Sequence, residues 1–166
     1  MTVVLVGPMG AGKSTVAALL GEALGVGVRD TDVDVEAVAG RTISDIFVES
    51  GEAHFRELER AAVADALATH DGVLSLGGGA VLDEATRRLL AASGHTVVFL
   101  RVGLAEAVKR VGLGTARPLL LGNVRSRIKA LLDERTPVYE SVATLVVDTD
   151  QRSAQDVADE IRKALP

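Results

Sequence analysis

The sequence predicts an α/β fold in which a five-stranded parallel sheet is covered by helices on both faces. The first observation behind this prediction is a set of short runs rich in β-branched residues, and the second is helical spacing of apolar residues between those runs. Parallel strands need a crossover connection, which usually contains a helix, so the alternation indicates three layers. The predicted strands are Val3–Val6, Gly27–Asp30, Val73–Leu76, Thr96–Leu100 and Thr144–Asp148.

The helices are predicted from apolar stripes and from residues that begin or end a helix. Gly25 is placed to end the first helix, and Thr42 with Asp45 resembles a capping pair that opens a short helix ending at Gly51. Asp83 is placed to cap a later helix. The expected inner face of the first helix consists of Val16, Leu19, Leu20 and Leu24.

Size, charge and cysteine content limit the function classes. A chain of 166 residues with 48% hydrophobic residues is expected to form one domain, 1–166. The net charge of -5 and the sequence pI of 5.2 disfavour nucleic acid as a partner. The absence of cysteine excludes disulfides, thiolate zinc sites and a catalytic thiol. With neither a signal-peptide pattern nor a membrane-spanning apolar segment, we expect a cytoplasmic monomer without a membrane partner.

Residues 7–14 read Gly-Pro-Met-Gly-Ala-Gly-Lys-Ser and match the phosphate-binding P-loop pattern G-x-x-x-x-G-K-[ST], between an apolar strand and a helical stripe. In such a loop, backbone N–H groups and the helix N-terminus surround a phosphate. Lys13 is expected to reach the β- and γ-phosphates, and the Ser14 hydroxyl to ligate magnesium. The motif predicts a three-layer P-loop fold; a glycine-rich turn without a ligand is the alternative.

The base of the nucleotide is predicted to be adenine rather than guanine. Asn123 is the only asparagine, so the N-K-x-D element with which G proteins recognise guanine is absent. The chain has no tryptophan, one tyrosine and three phenylalanines, so an arginine side chain is the expected stacking surface for the base. A GTP-dependent switch is therefore disfavoured.

Two carboxylates, Asp30 and Asp32, follow the second predicted strand at the end where doubly wound sheets bind ligands. If this stretch is extended, both side chains point the same way. One could then hold a magnesium-bound water, and the other could bind substrate hydroxyls and accept a proton. The alternative is a helix cap for a helix that begins near Val33.

Arg56 and the run Gly77–Gly79 are further candidate binding elements. The Arg56 guanidinium could bind a carboxylate or a phosphate, although Glu52, Glu57 and Glu59 nearby also fit a solvent-exposed position. The glycines follow an apolar strand and allow backbone N–H groups to approach a ligand, with a flexible turn as the alternative.

The segment 112–123 is predicted to be a mobile loop that serves as a lid. It contains three glycines and the pair Arg117-Pro118. A loop of this length within a compact domain is usually functional or disordered, and an ordinary surface connection is the alternative.

Taken in order, these elements resemble the shikimate kinase family over essentially the whole chain. The resemblance implies transfer of the γ-phosphoryl group of ATP to the 3-hydroxyl of shikimate in aromatic amino acid biosynthesis, with Mg²⁺ as cofactor. The motifs that carry it are the P-loop, Asp30-Thr31-Asp32, Phe55-Arg56, Gly77-Gly78-Gly79, Arg117-Pro118-Leu119-Leu120 and Arg135-x-Pro-x-Tyr139.

On the acceptor side, the resemblance implies a substrate-binding segment at about 32–60. Asp32 would hold the shikimate hydroxyls and act as the base, while Arg56 and Arg135 would bind its carboxylate. Asp30 would be linked to the magnesium site through water. The residues implied to line the ring and the pocket wall are Gly77, Gly78, Gly79, Phe47 and Phe55.

On the nucleotide side, Arg110 and Arg152 are implied to flank adenine, and Arg117 in the lid to reach the phosphates. Ala154 stands where many relatives have a proline against adenine, and the lid before Arg117 is less charged than the commoner form. The implied ATP-binding residues of the P-loop are Gly10, Ala11, Gly12, Lys13, Ser14 and Thr15.

Two other functions compete with this interpretation. One is a P-loop kinase for another small molecule, such as gluconate or a nucleoside monophosphate, and the other is a nucleotide-dependent regulatory module. The combination of Arg56, Arg135, Asp32 and a glycine run favours an enzyme whose acceptor is a hydroxylated carboxylic acid.

Overall fold

The structure, a computed structural model, describes residues 2–114 and 123–166, and of residues 111–114 the backbone alone. Its sheet has five strands in the order β2-β3-β1-β4-β5, and all neighbouring strands are parallel. The strands are β1 (Val3–Val6), β2 (Gly27–Asp30), β3 (Gly72–Ser75), β4 (Thr96–Arg101) and β5 (Leu145–Asp148). The predicted α/β class is confirmed, with each strand boundary within one residue of the prediction.

Helices occupy the connections between the strands. The predicted caps are confirmed, since Thr42 Oγ1 accepts a hydrogen bond from Asp45 N at 3.1 Å and Asp83 Oδ1 accepts one from Thr86 N at 3.2 Å. The helices are α1 (Lys13–Leu24), α2 (Thr31–Ala39), α3 (Ile43–Ser50), α4 (Glu52–Thr69), α5 (Glu84–Ser93), α6 (Leu104–Gly114), α7 (Val124–Val142) and α8 (Ala154–Ala164), with a 3₁₀ turn at Ala80–Leu82.

Alternate residues of the strands contribute to two apolar cores, one on each face of the sheet. Val3 and Leu5 pack with residues of α1 and α8, whereas Val4 and Val6 pack with residues of α4, α5 and α7. Side chains of a strand alternate between its faces, so a strand covered on both sides has no solvent-exposed position. Every residue of β1 and β3 is accordingly buried.

A third apolar cluster lies outside the two sheet cores. It consists of Val35 from α2, Ile46 from α3, and Phe55 and Ala62 from α4. This cluster fixes α2 and α3 against α4, and with them most of the predicted substrate-binding segment.

The predicted inner face of α1 is wrong at its C-terminal end. Leu24 is 36% exposed, whereas Val16 and Leu20 are buried. The buried positions of the last two turns are instead Leu20 and Gly21. At Gly21, α1 lies so close to β2 that a Cβ would clash with the Val28 side chain.

The start of the predicted lid also differs from the expectation. Helix α6 continues through Gly114, so the first residues of segment 112–123 are helical, and α7 begins at Val124. Residues 115–122, and with them Arg117, lie outside the described residues. Over the described part of the chain, no helix has the length and apolar character needed to cross a membrane.

Candidate active site

The carboxyl ends of the strands bring the predicted site residues to one edge of the sheet. The P-loop follows β1, the Asp30–Asp32 stretch follows β2, and the glycine run follows β3. In the sheet order, β1 and β2 flank β3, so the glycine run lies between the P-loop and the two carboxylates. Ligand sites of open α/β sheets lie at this edge.

The P-loop backbone requires glycine at three positions. Gly7, Gly10 and Gly12 have φ of 151°, 83° and 90°, which side-chain-bearing residues rarely adopt. A Cβ at Gly7 would lie 2.8 Å from the Leu100 carbonyl oxygen, so β4 also restricts this position. The loop leads directly into the N-terminus of α1 at Lys13, where helix N–H groups favour an anion.

Lys13 closes the loop through its side chain. Its ammonium group donates to the carbonyl oxygens of Gly7 at 2.7 Å and Pro8 at 3.0 Å. Burial lowers the pKa of Lys13 to about 8, while the carboxylates of Asp32 and Asp30 oppose the shift and Arg135 reinforces it. A partly desolvated cation at this position is suited to a multiply charged phosphate.

A cavity of about 300 Å³ joins the P-loop to the acceptor side. Its lining combines a cation, carboxylates, hydroxyls and backbone amides, which can bind both phosphate and a hydroxylated molecule. The lining residues are Met9, Gly10, Gly12, Lys13, Ser14, Thr15, Asp30, Asp32, Ser75, Leu76, Gly77 and Gly78.

The two carboxylates do not lie on an extended stretch, so that premise of the sequence analysis is wrong. Asp30 is the N-cap of α2, and its Oδ1 accepts a hydrogen bond from Asp32 N at 2.8 Å. Asp32 lies in the first turn of α2, because the cap starts the helix at Thr31. Both side chains nevertheless line the same cavity.

Asp32 has the properties of a proton acceptor. Burial is the main cause that raises its pKa to about 6, and the negative charges of Asp30, Glu59 and Glu36 add to the effect, while Lys13 opposes it. General bases work best when their pKa is close to the operating pH. The pKa of Asp32 is therefore closer to neutral pH than that of an ordinary carboxylate, which makes Asp32 a better candidate for a general base.

Each glycine of the run Gly77–Gly79 faces one of the predicted acceptor-binding side chains. A Cβ at Gly77 would lie 2.6 Å from Asp32 Oδ1, and one at Gly79 would lie 2.6 Å from both terminal nitrogens of Arg56. A Cβ at Gly78 would lie 3.8 Å from Arg135 Nη1. Asp32, Arg56 and Arg135 thus surround this one turn, where Gly77 and Gly79 lack side chains that would displace two of them.

Arg56 is not a solvated surface residue, because its main partner is buried. Arg56 Nη1 donates to Glu59 Oε1 at 2.7 Å, and the Glu59 side chain is only 4% exposed. Burial raises the pKa of Glu59, and the hydrogen bond and charge of Arg56 oppose that change. In the sequence, Glu59 is one of the acidic neighbours that favour an exposed Arg56, but its i,i+3 spacing from Arg56 is also a signal that the two residues pair.

Arg135, unlike Arg56, has a buried side-chain nitrogen without a hydrogen-bond partner in the described part of the chain. Within the described ranges, its Nε is the one buried side-chain nitrogen or oxygen that lacks a hydrogen-bond partner. A buried donor without a partner is costly, so this nitrogen is available to an anionic ligand.

The two phenylalanines predicted to form a pocket wall pack together, Phe47 from α3 and Phe55 from α4. Their rings are 4.9 Å apart between centroids, with Phe55 5% exposed and Phe47 38% exposed. Arg56 extends from this aromatic pair toward Gly79. The aromatic pair and Arg56 therefore lie together beside the glycine run.

A second cavity, of about 220 Å³, lies on the other side of the P-loop. Arg110 Nη1 donates to Gly10 O at 3.0 Å, and its Nη2 donates to Thr149 O at 3.1 Å, so Arg110 is fixed against the loop. Thr149, which the sequence analysis did not single out, orients this arginine. The cavity is lined by Gly10, Ala11, Gly12, Thr15, Val16, Arg110, Thr149, Arg152, Ala154 and Val157.

The oxygen groups of the larger cavity are compatible with magnesium. Ser14, Asp30 and Asp32 all line it, and Mg²⁺ typically binds one or two protein oxygens together with phosphate oxygens and water. No cluster of three or more His, Cys, Asp or Glu residues suited to a metal occurs among the residues that the structure describes. The donor set therefore suits an ion that arrives with a nucleotide.

The fold and the site define a P-loop protein of the small-molecule kinase class, with a phosphate cradle opposite a carboxylate and two arginines. The family model of shikimate kinase matches residues 9–166. A shikimate kinase of Thermobifida fusca is 59% identical over 163 residues, covering 98% of this chain and 94% of the relative. One from Salinispora arenicola is 59% identical over 162 residues, covering 98% and 96%.

Solved structures agree with these relatives. Shikimate kinase from Acinetobacter baumannii in complex with shikimate has a TM-score of 0.89 at 36% identity, covering 98% of this chain and 90% of that chain. Shikimate kinase from Aquifex aeolicus has a TM-score of 0.86 at 32% identity, covering 98% and 95%. The chain belongs to the shikimate kinase family.

Proposed function

We propose that this chain transfers the γ-phosphoryl group of ATP to the 3-hydroxyl of shikimate, giving shikimate 3-phosphate and ADP. Family membership supports the reaction, and one observation supports the acceptor: Asp32, Arg135 and Arg56 face consecutive glycines beside the P-loop cavity. A molecule with hydroxyls and a carboxylate matches one carboxylate base and two cations.

On the donor side, the proposal assigns the phosphates of ATP to the amides of the P-loop and to Lys13. Phosphoryl transfer depends mainly on alignment and on neutralising the charge of the transferred group. Lys13 would exchange the carbonyl oxygens of Gly7 and Pro8 for phosphate oxygens. The adenine would occupy the smaller cavity, between Arg110 and Arg152.

On the acceptor side, the 3-hydroxyl oxygen attacks the γ-phosphorus as the bond to the leaving ADP oxygen breaks. Asp32 receives the hydroxyl proton, for which its raised pKa of about 6 is suited. Arg135 and Arg56 bind the carboxylate and so fix which hydroxyl faces the phosphate. Phe47 and Phe55 would exclude water from one side of the ring.

The proposal includes Mg²⁺, held through the Ser14 hydroxyl and, through water, by Asp30. The ion would neutralise charge on the phosphates. Asp30 keeps an oxygen for this role, because Oδ1 is the atom that caps α2. Arg117 and closure of the lid stay predictions from the sequence.

The proposed partners are the small molecules ATP and shikimate, with neither nucleic acid nor membrane. We further propose a single-domain monomer that works in the cytoplasm. The net charge of -5 disfavours a nucleic-acid partner, and the absence of cysteine is compatible with a reducing compartment. Size-exclusion chromatography with light scattering tests the monomer, and a dimer mass would contradict it.

An assay of ADP formation tests the reaction. We expect ADP formation that requires Mg²⁺ and is stimulated by shikimate, but by neither gluconate nor AMP. Phosphorus NMR of the product should show a monoester at the 3-position. Equal stimulation by gluconate, or none by shikimate, would reject the proposed acceptor and leave nucleotide binding by the P-loop intact.

A further inference from the structure

Tyr139 is a buried titratable residue that the proposed mechanism does not use. It is the only tyrosine of the chain, is 0% exposed and is the largest of the fully buried side chains described. Its ring belongs to the core under α4 and α5, with its centroid 5.1 Å from that of Phe99. A phenylalanine would fill this space equally well, so core packing accounts for the ring but not for the hydroxyl.

The Tyr139 hydroxyl binds the backbone of a residue that lines the cavity beside the P-loop. It donates a hydrogen bond to the Gly78 carbonyl oxygen at 2.5 Å, across 61 residues of sequence. Gly78 is the middle residue of the glycine run and lines the cavity that also contains Lys13 and Asp32. A hydroxyl is costly to bury without a partner, so this bond specifies where the Gly78 carbonyl must lie.

The neighbouring glycines have other anchors. Gly77 N donates to Thr31 Oγ1 at 3.3 Å, and the Gly77 carbonyl accepts from Ala80 N at 3.1 Å. The Gly79 carbonyl accepts from Leu82 N at 3.2 Å. Tyr139 supplies the corresponding anchor for the carbonyl of Gly78, and it does so from α7 rather than from the segment that follows β3.

Tyr139 also lies beside Arg135, four residues earlier on α7. Residues at this spacing share one face of a helix. Burial raises the pKa of Tyr139, and the positive charge of Arg135 opposes that shift. The phenol thus binds the carbonyl of Gly78 and lies near the arginine whose Nη1 faces that glycine.

We propose that Tyr139 is a positioning residue for the acceptor: its hydroxyl holds the Gly78 backbone and the Arg135 guanidinium in the relative placement that the carboxylate of the acceptor needs. This inference rests on the proposed function. It explains why the hydroxyl is present in an otherwise apolar core.

The test is Tyr139→Phe, which keeps the ring and removes the hydroxyl. We expect the KM for shikimate to rise about tenfold, as for loss of one buried hydrogen bond, with the KM for ATP unchanged. A change confined to acceptor binding is not expected from general loosening of the core. Calorimetric binding of shikimate should weaken by the same factor.

The matched control is Thr2→Val. Thr2 is 1% exposed, and its hydroxyl donates to the His70 carbonyl oxygen at 2.8 Å, at the opposite end of β1 from the P-loop. This variant also loses one buried hydroxyl-to-carbonyl bond, so its melting temperature should fall comparably while both KM values stay at wild type. Assays are run well below the melting temperature of the less stable variant.

The outcomes separate the two proposals. If the wild type shows no activity with shikimate, the proposed function fails. If the wild type is active and Tyr139→Phe keeps its KM for shikimate, the positioning role is overturned and Tyr139 is a core residue. An equal rise of that KM in Thr2→Val would also overturn the role, because the effect would then follow stability alone.

Discussion

Asp32→Asn is expected to abolish turnover while stabilising the folded protein. The pKa of Asp32 is raised from 3.8 to about 6, chiefly by burial, so the folded state disfavours the charged form. A shift of this size corresponds to about 3 kcal/mol, and solvent screening of the partly exposed carboxylate reduces the gain from Asn to roughly 1 to 2 kcal/mol. For a chain of this length, that is roughly 3 to 6 °C in melting temperature.

The sign follows from proton linkage. Near pH 4, Asp32 is protonated in the folded protein and imposes little penalty. As the pH rises from about 4 to 6, Asp32 ionises in the unfolded chain but stays protonated in the folded protein, so stability is lost until the folded carboxyl also ionises near pH 6. The difference in melting temperature between Asp32→Asn and wild type should therefore grow over this interval and level off above it. Differential scanning calorimetry across this range, without nucleotide, measures it.

Asp34→Asn is the matched control for this prediction. Asp34 lies in the same first turn of α2, so both variants lose a comparable interaction with the helix N-terminus. Asp34, however, has an ion pair with Arg29 at 2.6 Å, and its removal should give no stabilisation. A neutral-pH melting temperature of Asp32→Asn at or below wild type would refute the reasoning, as would a difference that does not vary with pH.

Four further predictions concern catalysis, binding and stability. Arg135→Ala should weaken shikimate binding by roughly 2 to 5 kcal/mol, measured by calorimetry; Arg56→Ala should in addition lower the melting temperature, because it leaves buried Glu59 unpaired. Lys13→Ala should lose turnover and retain its circular dichroism spectrum and melting temperature, because removing the buried ammonium offsets the loss of its hydrogen bonds to Gly7 and Pro8. Glu59→Gln should move the acidic limb of kcat/KM to lower pH, since the Glu59 charge helps to raise the pKa of Asp32.

These predictions have a control variant and outcomes that would contradict them. Lys129→Ala removes an exposed lysine paired with Asp133 and should keep wild-type turnover, as a control for Lys13→Ala. An unchanged shikimate affinity in Arg135→Ala would show that Arg135 does not bind the carboxylate of shikimate. An acidic limb that stays in place in Glu59→Gln would show that Asp32 does not control that limb.

The fold was predictable from sequence because its determinants are local. The strands alternate with helices, and side chains such as Thr42 and Asp83 cap helices with bonds spanning three residues. The close approach of α1 to β2 at Gly21 was not predictable, because it depends on contact with Val28 of another element. Helical periodicity states which residues share a face, but not how closely the helix approaches the sheet.

The motifs named the positions of Asp32, Arg56, Arg135 and Tyr139, but not how their side chains interact. The structure adds the buried Glu59 that pairs with Arg56, and the hydrogen bond from Tyr139 to Gly78. Burial is a tertiary property, so an acidic residue on a helix gives no local sign that it pairs inside the protein. Roles carried over from the family, including those of Arg110 and Arg152, stay predictions.

The third apolar cluster has a consequence for how acceptor specificity can evolve. Val35 and Ile46 secure α2 and α3 to one side of α4, and they belong to neither core that supports the P-loop. The other side of α4 contributes Val63 and Ala66 to a sheet core. We therefore expect mutations in this cluster to change binding of the acceptor while nucleotide binding is retained. Selection for a different acceptor acid can therefore act on this third cluster, separately from the two cores of the sheet. A Val35→Ala variant with unchanged ATP affinity and altered shikimate affinity would show that acceptor binding and nucleotide binding can change independently.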